Sequence, residues 1–317
     1  MKLYRLPEIR PALAGIDLVE LMGRAFAAYS AGRAVVAPVG ELLLAGGDVH
    51  VKSGYLEGGD YYVVKIASGF YGNPSLGLPS SNGVMLLFFQ KTGELAAVLH
   101  DEGHLTDVRT AAAGAVAARH LAGHPIERIA IFGTGTQARL QLAHLRAVTG
   151  CRDAVVWGRG ERQLDGYVAA VADLGFRVET SRDAAATAAA ASLIVTTTAA
   201  EAPLFPAAAV RPGTHVTAVG SDTAAKQELD PELLARADRV VADSLEQCRE
   251  RGEIFQARKA GLLEEEKLVE LGAVVAGAAP GRVRPEDVTV ADLTGVAVQD
   301  VEIARATFEA LEGEASS

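Results

Sequence analysis

The second half of the chain alternates short apolar runs with helical stretches, and this alternation limits the possible folds more than any other feature. Nearly continuous apolar runs that alternate with helices are typical of a parallel sheet covered by helices on both faces. The sequence therefore predicts an α/β fold from Arg128 onward. The predicted strands are 129–133, 154–157, 193–198, 215–220 and 239–243, followed by a helical segment around 267–275, a last strand at 289–295 and a closing helix at 296–311.

The first part of the chain has a different pattern. Apolar residues at helical spacing predict helix over residues 1–32, and alternating runs between residues 35 and 99 predict a meander of antiparallel strands with Gly-Asp and Thr-Gly turns. A helix rich in small residues is predicted at 107–121. A length of 317 residues favours two domains.

Composition excludes several classes of protein. With 49% hydrophobic residues the chain can form a large core, and a net charge of −10 without any Lys/Arg run argues against nucleic acid or an anionic membrane as partner. The uncharged stretch 184–200, mostly Ala and Thr, is shorter than the ~20 apolar residues of a membrane span. Two isolated cysteines favour neither a disulfide framework nor a metal site, and we expect a cytoplasmic protein.

A glycine-rich turn follows the first predicted strand of the α/β region. Residues 133–138 have the pattern G-x-G-x-x-A at the opening of a helix, where small residues allow backbone N–H groups to approach a pyrophosphate. The position in a series of strands and helices is the context that this pattern requires. We predict a Rossmann-type dinucleotide-binding domain; the alternative is a tight turn without a ligand.

The second predicted strand ends in Val156-Trp157-Gly158-Arg159. A carboxylate near this point binds the ribose 2′-hydroxyl of NAD, whereas an arginine accommodates the 2′-phosphate of NADP. Gly158 removes the carboxylate and Arg159 supplies a cation. The sequence thus favours NADP, with NAD possible, unless Arg159 is merely solvated.

Three charged residues are candidates for substrate chemistry. Arg109, expected in the first turn of its helix, could clamp a carboxylate or pair with Asp107. Lys65 interrupts an apolar strand, so it either serves a ligand or lies on a solvated face. Asp222 follows a parallel strand at the end that faces ligands, where it could transfer a proton or cap the next turn. His50 and Lys52 share a strand face that we expect to be a solvated edge.

Several stretches together resemble the ornithine cyclodeaminase/mu-crystallin family over nearly the full chain, in particular its alanine dehydrogenase-like or ectoine-utilisation branch. The matching segments are VVKIAS, GLPSSNG, LTDVRTAAAGAVAA, IFGTGTQARLQL, HVTAVGSDTAAKQELD and ADLTGVAVQD. The resemblance implies a homodimer whose α+β substrate-binding and dimerisation domain, 1–120 plus 297–317, holds an inserted Rossmann domain at 121–296.

The resemblance also assigns residues to roles. Lys65 and Arg109 would grip the substrate, with Arg109 on its carboxylate, Lys65 and Asp222 would serve catalysis, and Ser80 would lie beside the substrate. The expected dinucleotide site comprises Gly133, Thr134, Gly135, Thr136, Gln137, Arg159, Thr197, Gly220, Ser221, Thr294 and Gly295.

Two positions depart from the family pattern. Val39 stands where many members carry a substrate-binding arginine, and His50 stands where ornithine enzymes carry an acid. Lys52 could replace the missing cation, and the changed charges argue against ornithine as substrate.

The predicted function is NAD(P)-dependent hydride transfer at the α-carbon of a small amino or imino acid. One alternative is a redox-neutral cyclodeaminase that releases ammonia and recycles its cofactor. The other is a mu-crystallin-like protein that binds NADPH or another ligand without catalysis.

Overall fold

The computed structural model describes residues 1–70 and 72–315, and the chain divides into two compact units. The N-terminal unit comprises Met1–Arg109 together with Val296–Ser317, and the central unit comprises Thr110–Gly295. The division after Arg109 falls inside one continuous helix, His104–Leu121. Ser316 and Ser317, the end of the expected 297–317 segment, lie outside the described residues.

The N-terminal unit contains a seven-stranded sheet in the order β1-β7-β6-β5-β4-β2, with β3 paired to β4. All neighbouring strands are antiparallel except β1 and β7, which are parallel. The elements are β1 (Lys2–Arg5), α1 (Leu6–Ala12), α2 (Leu18–Ser30), β2 (Ala34–Val36), β3 (Gly40–Leu44), β4 (Gly47–Leu56), β5 (Tyr61–Gly69), β6 (Ser81–Phe89), β7 (Leu95–His100), the start of α3 (His104–Leu121) and α11 (Ala297–Ala315).

One face of this sheet is buried against α11 and α2. Strand alternation places Val63 and Lys65 of β5, Met85 of β6 and Leu99 of β7 on that face, and all four are buried. The opposite face is apolar but partly exposed, as Ile66 and Tyr55 show. The antiparallel meander predicted from the sequence is confirmed.

The prediction of continuous helix over residues 1–32 was partly wrong. Residues 2–5 form β1, which pairs with β7 in register Lys2 with Ala97, and the helical remainder is interrupted after Ala12. Asp17 starts α2 as its N-cap by accepting the Glu20 N–H at 3.0 Å.

The central unit contains eight parallel strands in the order β10-β9-β8-β11-β12-β15-β13-β14. Its elements, after the end of α3, are β8 (Ile129–Phe132), α4 (Thr136–Leu145), β9 (Asp153–Trp157), α5 (Glu161–Val171), β10 (Arg177–Ser181), α6 (Ala184–Ala189), β11 (Leu193–Thr196), β12 (His215–Ala218), α7 (Pro231–Arg236), β13 (Arg239–Ala242), α8 (Leu245–Cys248), α9 (Gly252–Lys259), β14 (Leu268–Glu270), α10 (Leu271–Val275) and β15 (Thr289–Asp292). Four short 3₁₀ helices complete the described part of the chain, at Asn73–Leu76 in the N-terminal unit and at Ala172–Leu174, Ala207–Ala209 and Glu265–Lys267 in the central unit.

The order of the first strands is that of a Rossmann fold, so the α/β prediction is confirmed. The strand order turns around between β8 and β11, which is the switch point where such sheets bind ligands at the carboxyl ends of their strands. Two edge strands were not predicted: β10, which is largely exposed and charged, and β14, whose residues were expected to be helical. No helix among residues 1–70 and 72–315 combines the length and the apolar character that crossing a membrane would require.

Candidate active site

Lys65 and Arg109 meet in the interior of the N-terminal unit at one carboxylate, that of Asp300 in α11. Lys65 Nζ lies 2.9 Å from Asp300 Oδ2, and Arg109 Nε donates to Asp300 Oδ1 at 2.9 Å. Lys65 is 2%, Arg109 4% and Asp300 1% exposed. The two predicted substrate-binding cations are therefore held together by an acid that the sequence analysis did not assign.

The electrostatics of this group are dominated by burial. Loss of solvent lowers the pKa of Lys65 to about 7, and the positive charges of Arg109 and Lys52 act in the same direction, whereas Asp300 opposes them. For Asp300, burial acts to raise the pKa, but the surrounding cations outweigh it and hold the pKa below its ordinary value. Asp300 is consequently the charged partner around which the basic side chains are arranged.

Lys52 and His50 lie on the same buried face, which corrects the expectation of a solvated edge. Lys52 of β4 is the direct cross-strand partner of Lys65 in β5, and it is 4% exposed. His50 is also buried, and its Nε2 lies 3.0 Å from Glu41 Oε1 of the neighbouring β3. β4 is not an edge because β5 pairs with one side of it and β2 and β3 with the other.

Arg109 lies in the second turn of α3, not in the first as expected. The helix begins at His104, and the Asp101 side chain accepts the Leu105 N–H at 2.7 Å at its start. The helix therefore begins three residues before the predicted start at residue 107. Gly103, the residue before the helix, has a positive φ of 85°, a conformation that favours glycine.

Ser80 lies at the end of the loop that leads into β6. Its backbone carbonyl accepts the Phe70 N–H at 2.7 Å, and its side chain is half-buried. The structure thus places Ser80 at the same end of the sheet as the start of β6, while Lys65 lies further along β5.

In the central unit, the glycine-rich turn joins β8 to α4. Gly133 has a φ of 117°, and a Cβ there would lie 2.6 Å from Thr197 Oγ1, so only glycine fits. Around Gly135 no atom lies within 4 Å of the position of a Cβ, which leaves room for a ligand. α4 starts at Thr136 without a side-chain cap on its N–H groups, and Gln137 belongs to the same first turn.

A cavity of about 340 Å³ opens beside this turn. Thr134, Thr197 and Arg159 line it, together with Trp157 at the end of β9 and Leu204. Thr197 is fixed by a hydrogen bond from its hydroxyl to the Phe132 carbonyl at 2.9 Å. The cavity lies at the switch point of the sheet, and its shape and its free helix terminus fit a dinucleotide.

Gly158 lies in a crowded place, close to the side chains of Thr134 and Leu164. A Cβ at this position would lie 2.9 Å from Thr134 Cγ2 and 3.0 Å from Leu164 Cδ2. A larger side chain at residue 158 would therefore have to displace the side chains of Thr134 and Leu164. Arg159, the next residue, is exposed and borders the cavity.

Asp222 follows β12 and forms an ion pair rather than a helix cap. Lys226 Nζ donates to Asp222 Oδ1 at 2.6 Å, and Lys226 itself is largely buried. Ser221 is buried, and its hydroxyl donates to the Lys226 carbonyl at 2.8 Å. Asp222 and Lys226 therefore form an ion pair at the carboxyl end of a central strand. Lys226 lies in one of the segments that carry the family resemblance, but the sequence alone assigns it no role.

Thr294 and Gly295 follow β15 and are held by the buried Asp243. The Thr294 hydroxyl donates to Asp243 Oδ1 at 3.0 Å, and the Gly295 N–H donates to Asp243 Oδ2 at 2.6 Å. Gly295 has a φ of 81°, which favours glycine. Among the residues that the structure describes, no group of three or more metal-ligating side chains is assembled.

One feature of the sequence indicates that an acid such as Asp300 must lie near Lys65. A lysine within an apolar strand needs an anionic partner when it is buried. Asp300 stands in the segment ADLTGVAVQD, one of the stretches that carried the family resemblance. Sequence alone does not say that α11 brings this particular acid to β5, because the two residues are far apart along the chain.

The comparisons with known proteins agree on one family. The family model described as the ornithine cyclodeaminase/mu-crystallin family matches residues 8–315. A Rhizobium meliloti protein named as a dehydrogenase is 46% identical over 83% of this chain and 80% of its own length. An uncharacterized cyclodeaminase of Sinorhizobium fredii is 44% identical, covering 84% and 81%. Alanine dehydrogenase of Archaeoglobus fulgidus is 34% identical, covering 95% and 92%.

Solved structures extend the likeness to the whole chain. Thermococcus litoralis Δ1-pyrroline-2-carboxylate reductase, in complex with NADH and L-proline, has a TM-score of 0.93 at 27% identity and covers 99% of this chain and 98% of its own. An archaeal alanine dehydrogenase dimer with bound NAD has a TM-score of 0.91 at 31% identity, covering 99% and 97%.

Proposed function

Because the chain belongs to the ornithine cyclodeaminase/mu-crystallin family, we propose that it is a nicotinamide-dependent oxidoreductase that transfers hydride at the α-carbon of a small amino or imino acid. The observation that carries this proposal is the buried meeting of Lys65 and Arg109 at Asp300. Relatives named as alanine dehydrogenase and Δ1-pyrroline-2-carboxylate reductase act on substrates of this class.

The N-terminal unit would hold the substrate by its carboxylate. Arg109 presents a guanidinium whose Nε donates to Asp300 and whose Nη1 donates to Gln299 Oε1 at 3.4 Å. A guanidinium has five N–H donors, so a substrate carboxylate could accept from the others. Lys65 adds a second cation in the same buried place, and Lys52 lies directly across from it. A buried cation is unfavourable unless an anion pairs with it, so a substrate carboxylate would stabilise these buried basic groups. This arrangement fixes the orientation of the α-carbon, which is mainly a positioning effect.

The central unit would hold the dinucleotide. Its pyrophosphate would lie on the uncapped start of α4 beside Gly135, with Thr134, Thr136, Gln137 and Thr197 around it. Gly220, Ser221, Thr294 and Gly295 would form the edge toward the nicotinamide, which when bound accepts or supplies the hydride. Asp222, coupled to Lys226, would take or return a proton at the substrate nitrogen or at water.

NADP is the cofactor that the cavity favours. Gly158 supplies no carboxylate for a ribose 2′-hydroxyl, and the exposed Arg159 at the cavity rim can pair with a 2′-phosphate. The solved relatives with NADH or NAD show that the family also binds the unphosphorylated form, so we propose a preference and not exclusivity.

A redox-neutral cyclodeaminase is the second candidate, and one observation favours it. A diamino acid needs an anionic contact for its distal ammonium group, and Oε1 of Glu41, an exposed residue of β3, lies 3.0 Å from Nε2 of the buried His50. The acid that residue 50 lacks is thus available from the neighbouring strand. The uncharacterized cyclodeaminase relative at 44% identity is consistent with this reaction.

A non-catalytic ligand-binding role is less well supported. Storage or transport of a ligand does not require an ion-paired carboxylate at the carboxyl end of β12 together with two buried cations.

We also propose that the protein acts in the cytoplasm as a homodimer. The exposed apolar face of the N-terminal sheet supports the dimer.

One assay separates the three functions. Amino acids are offered with NADP⁺ or NAD⁺, and cyclic and acyclic imino acids with NADPH or NADH, while nicotinamide absorbance and ammonia are followed together. The proposal predicts stoichiometric change of the nicotinamide with an amino or imino acid. Release of ammonia from a diamino acid without net change of absorbance would establish the cyclodeaminase, and binding of dinucleotide without turnover of any substrate would establish the ligand-binding protein.

A further inference from the structure

Glu228 is a completely buried carboxylate that lies between two strand ends of the central unit. It accepts hydrogen bonds from the Thr196 hydroxyl at 2.8 Å, from the Thr198 hydroxyl at 2.8 Å and from the Gly220 N–H at 2.8 Å, and the Thr198 N–H adds a fourth. A carboxylate has about four acceptor sites, so its capacity is filled by these donors.

The groups that donate to Glu228 lie at or next to the segments that we assign to the dinucleotide site. Thr196 ends β11, Thr198 lines the cavity of about 340 Å³, and Gly220 follows β12. These two strands are neighbours in the sheet. The side chain of Glu228 thus ties the two segments to one common point.

The space around Gly220 shows how closely the segments that follow β11 and β12 approach each other. A Cβ at Gly220 would lie 2.0 Å from the Thr198 carbonyl oxygen, 2.6 Å from the Thr198 nitrogen and 2.7 Å from Glu228 Cδ. Two of these atoms are backbone and cannot move aside without displacing the cavity wall. The close approach therefore depends on glycine on one side and on the carboxylate on the other.

Glu228 is itself held in place by a second buried acid. Glu253 of α9 accepts the Glu228 N–H at 2.8 Å and the Leu229 N–H at 3.1 Å. Burial raises the pKa of both carboxyls, while the donated hydrogen bonds oppose that effect. The main chain at Glu228 is therefore as fixed as its side chain.

We propose that Glu228 is a positioning residue for dinucleotide binding: it joins the segments that leave β11 and β12 and so sets the shape of the cofactor cavity. This inference rests on the proposed dinucleotide site, and it assigns Glu228 no contact with the ligand. Its action passes through Thr198 and Gly220. The residue stands in the segment Lys226-Gln227-Glu228-Leu229, of which the proposed function uses only Lys226.

Glu228→Gln tests the proposal with a side chain of the same size. An amide keeps one acceptor oxygen but turns an NH₂ donor toward N–H and O–H donors, so one or two of the hydrogen bonds are lost. Trp157 is the only tryptophan of the chain and lines the cavity, so quenching of its fluorescence by NADPH or NADH reports binding directly. We expect the dinucleotide Kd to rise by about tenfold or more. With the enzyme turning over, KM for the dinucleotide should rise while kcat at saturating dinucleotide changes little.

Two further variants make the result decisive. Glu232→Gln, an exposed residue of α7, is the matched control and should leave Kd unchanged. Thr196→Val removes one donor to Glu228 without altering a residue that lines the cavity, and we expect a several-fold weaker Kd with a folded protein. This variant replaces Glu228→Gln if that protein does not fold.

An unchanged Kd in folded Glu228→Gln, or in Thr196→Val, would overturn the proposal. Failure of the wild-type protein to bind either dinucleotide would instead contradict the proposed function. The two failures are distinguishable because the first is seen only in the variants.

Discussion

At Lys65, burial and charge determine whether the side chain can hold an anion. Removal from solvent, together with the positive charges of Arg109 and Lys52, lowers its pKa to about 7, although Asp300 at 2.9 Å favours the ammonium. A carboxylate ligand would act in the same direction as Asp300. Affinity for the ligand and protonation of Lys65 are therefore linked.

The sign of the expected pH dependence follows from this linkage. The charged form of Lys65 predominates below its pKa, so affinity for a carboxylate should be highest below about pH 7 and should fall as the pH rises through that range. Inhibition by pyruvate, whose carboxylate stays ionised throughout, measures the effect without titration of the ligand. In Lys65→Arg the cation persists to high pH, and the decline should disappear. A wild-type inhibition constant that does not vary between pH 6 and 9 would contradict the anchoring role.

Arg159 gives the second prediction at this scale. Removal of its guanidinium in Arg159→Ala should weaken NADPH binding by about 10- to 100-fold, because a charge-assisted pair with a phosphate is lost, and should change NADH binding little. Quenching of Trp157 fluorescence measures both. Arg146→Ala is the control, since this exposed arginine at the C-terminal end of α4 does not line the cavity. Equal losses for the two dinucleotides would refute the preference for NADP.

At the scale of elements, apolar pattern and turn residues were sufficient for most of the fold. The strands β8, β9, β11, β12 and β15 begin at or within one residue of the predicted positions, because buried parallel strands are apolar throughout. The edge strands were not predicted because they are not apolar throughout. β10 carries Arg177 and Glu179 and is largely exposed, and β1 owes its strand conformation to pairing with β7.

The candidate site was predictable where a motif is local in sequence. The glycine-rich turn and Arg159 belong to single short segments, and the structure places them beside one cavity. Asp300, Glu228 and Lys226 were missed because their roles arise from contacts between elements. The burial of Lys52 and His50 depends likewise on α11 and α2, which cover that face of the sheet.

Two glycine substitutions test the packing of the segments after β11 and β12. Gly220→Ala should destabilise the protein by more than ~1 kcal/mol, because the new methyl group would overlap the backbone of Thr198. Gly166→Ala, in the middle of α5 with no atom within 4 Å of a Cβ, should stabilise it by up to ~1 kcal/mol. Urea denaturation compares the two. Similar effects of both substitutions would show that the close approach at Gly220 is not structurally significant.

At the scale of the whole molecule, the outer face of the N-terminal sheet requires a partner in the proposed homodimer. Leu42, Leu44, Ile66 and Tyr55 expose between 36% and 60% of their surface on that face, and a groove of about 550 Å³ borders it. Exposed apolar patches of this kind mark interaction surfaces.

The proposed dimer can be tested by one charge on this face. Ile66→Glu should convert a dimer to a monomer in light scattering coupled to size-exclusion chromatography, because the carboxylate would be buried at the interface. Val283→Glu, at an exposed apolar residue of the central unit, should leave the mass unchanged. A wild-type protein that elutes as a monomer at micromolar concentration would contradict the dimer.

Transfer of deuterium from labelled nicotinamide tests the central claim most directly. Reduced dinucleotide deuterated on the transferred face of C4 is incubated with an imino acid, and the amino acid product is examined by mass spectrometry. The account predicts one deuterium at the α-carbon of the product, in an amount equal to the dinucleotide oxidised, and loss of this transfer in Arg109→Ala. An amino acid product without deuterium at the α-carbon when both faces of C4 are labelled would contradict it.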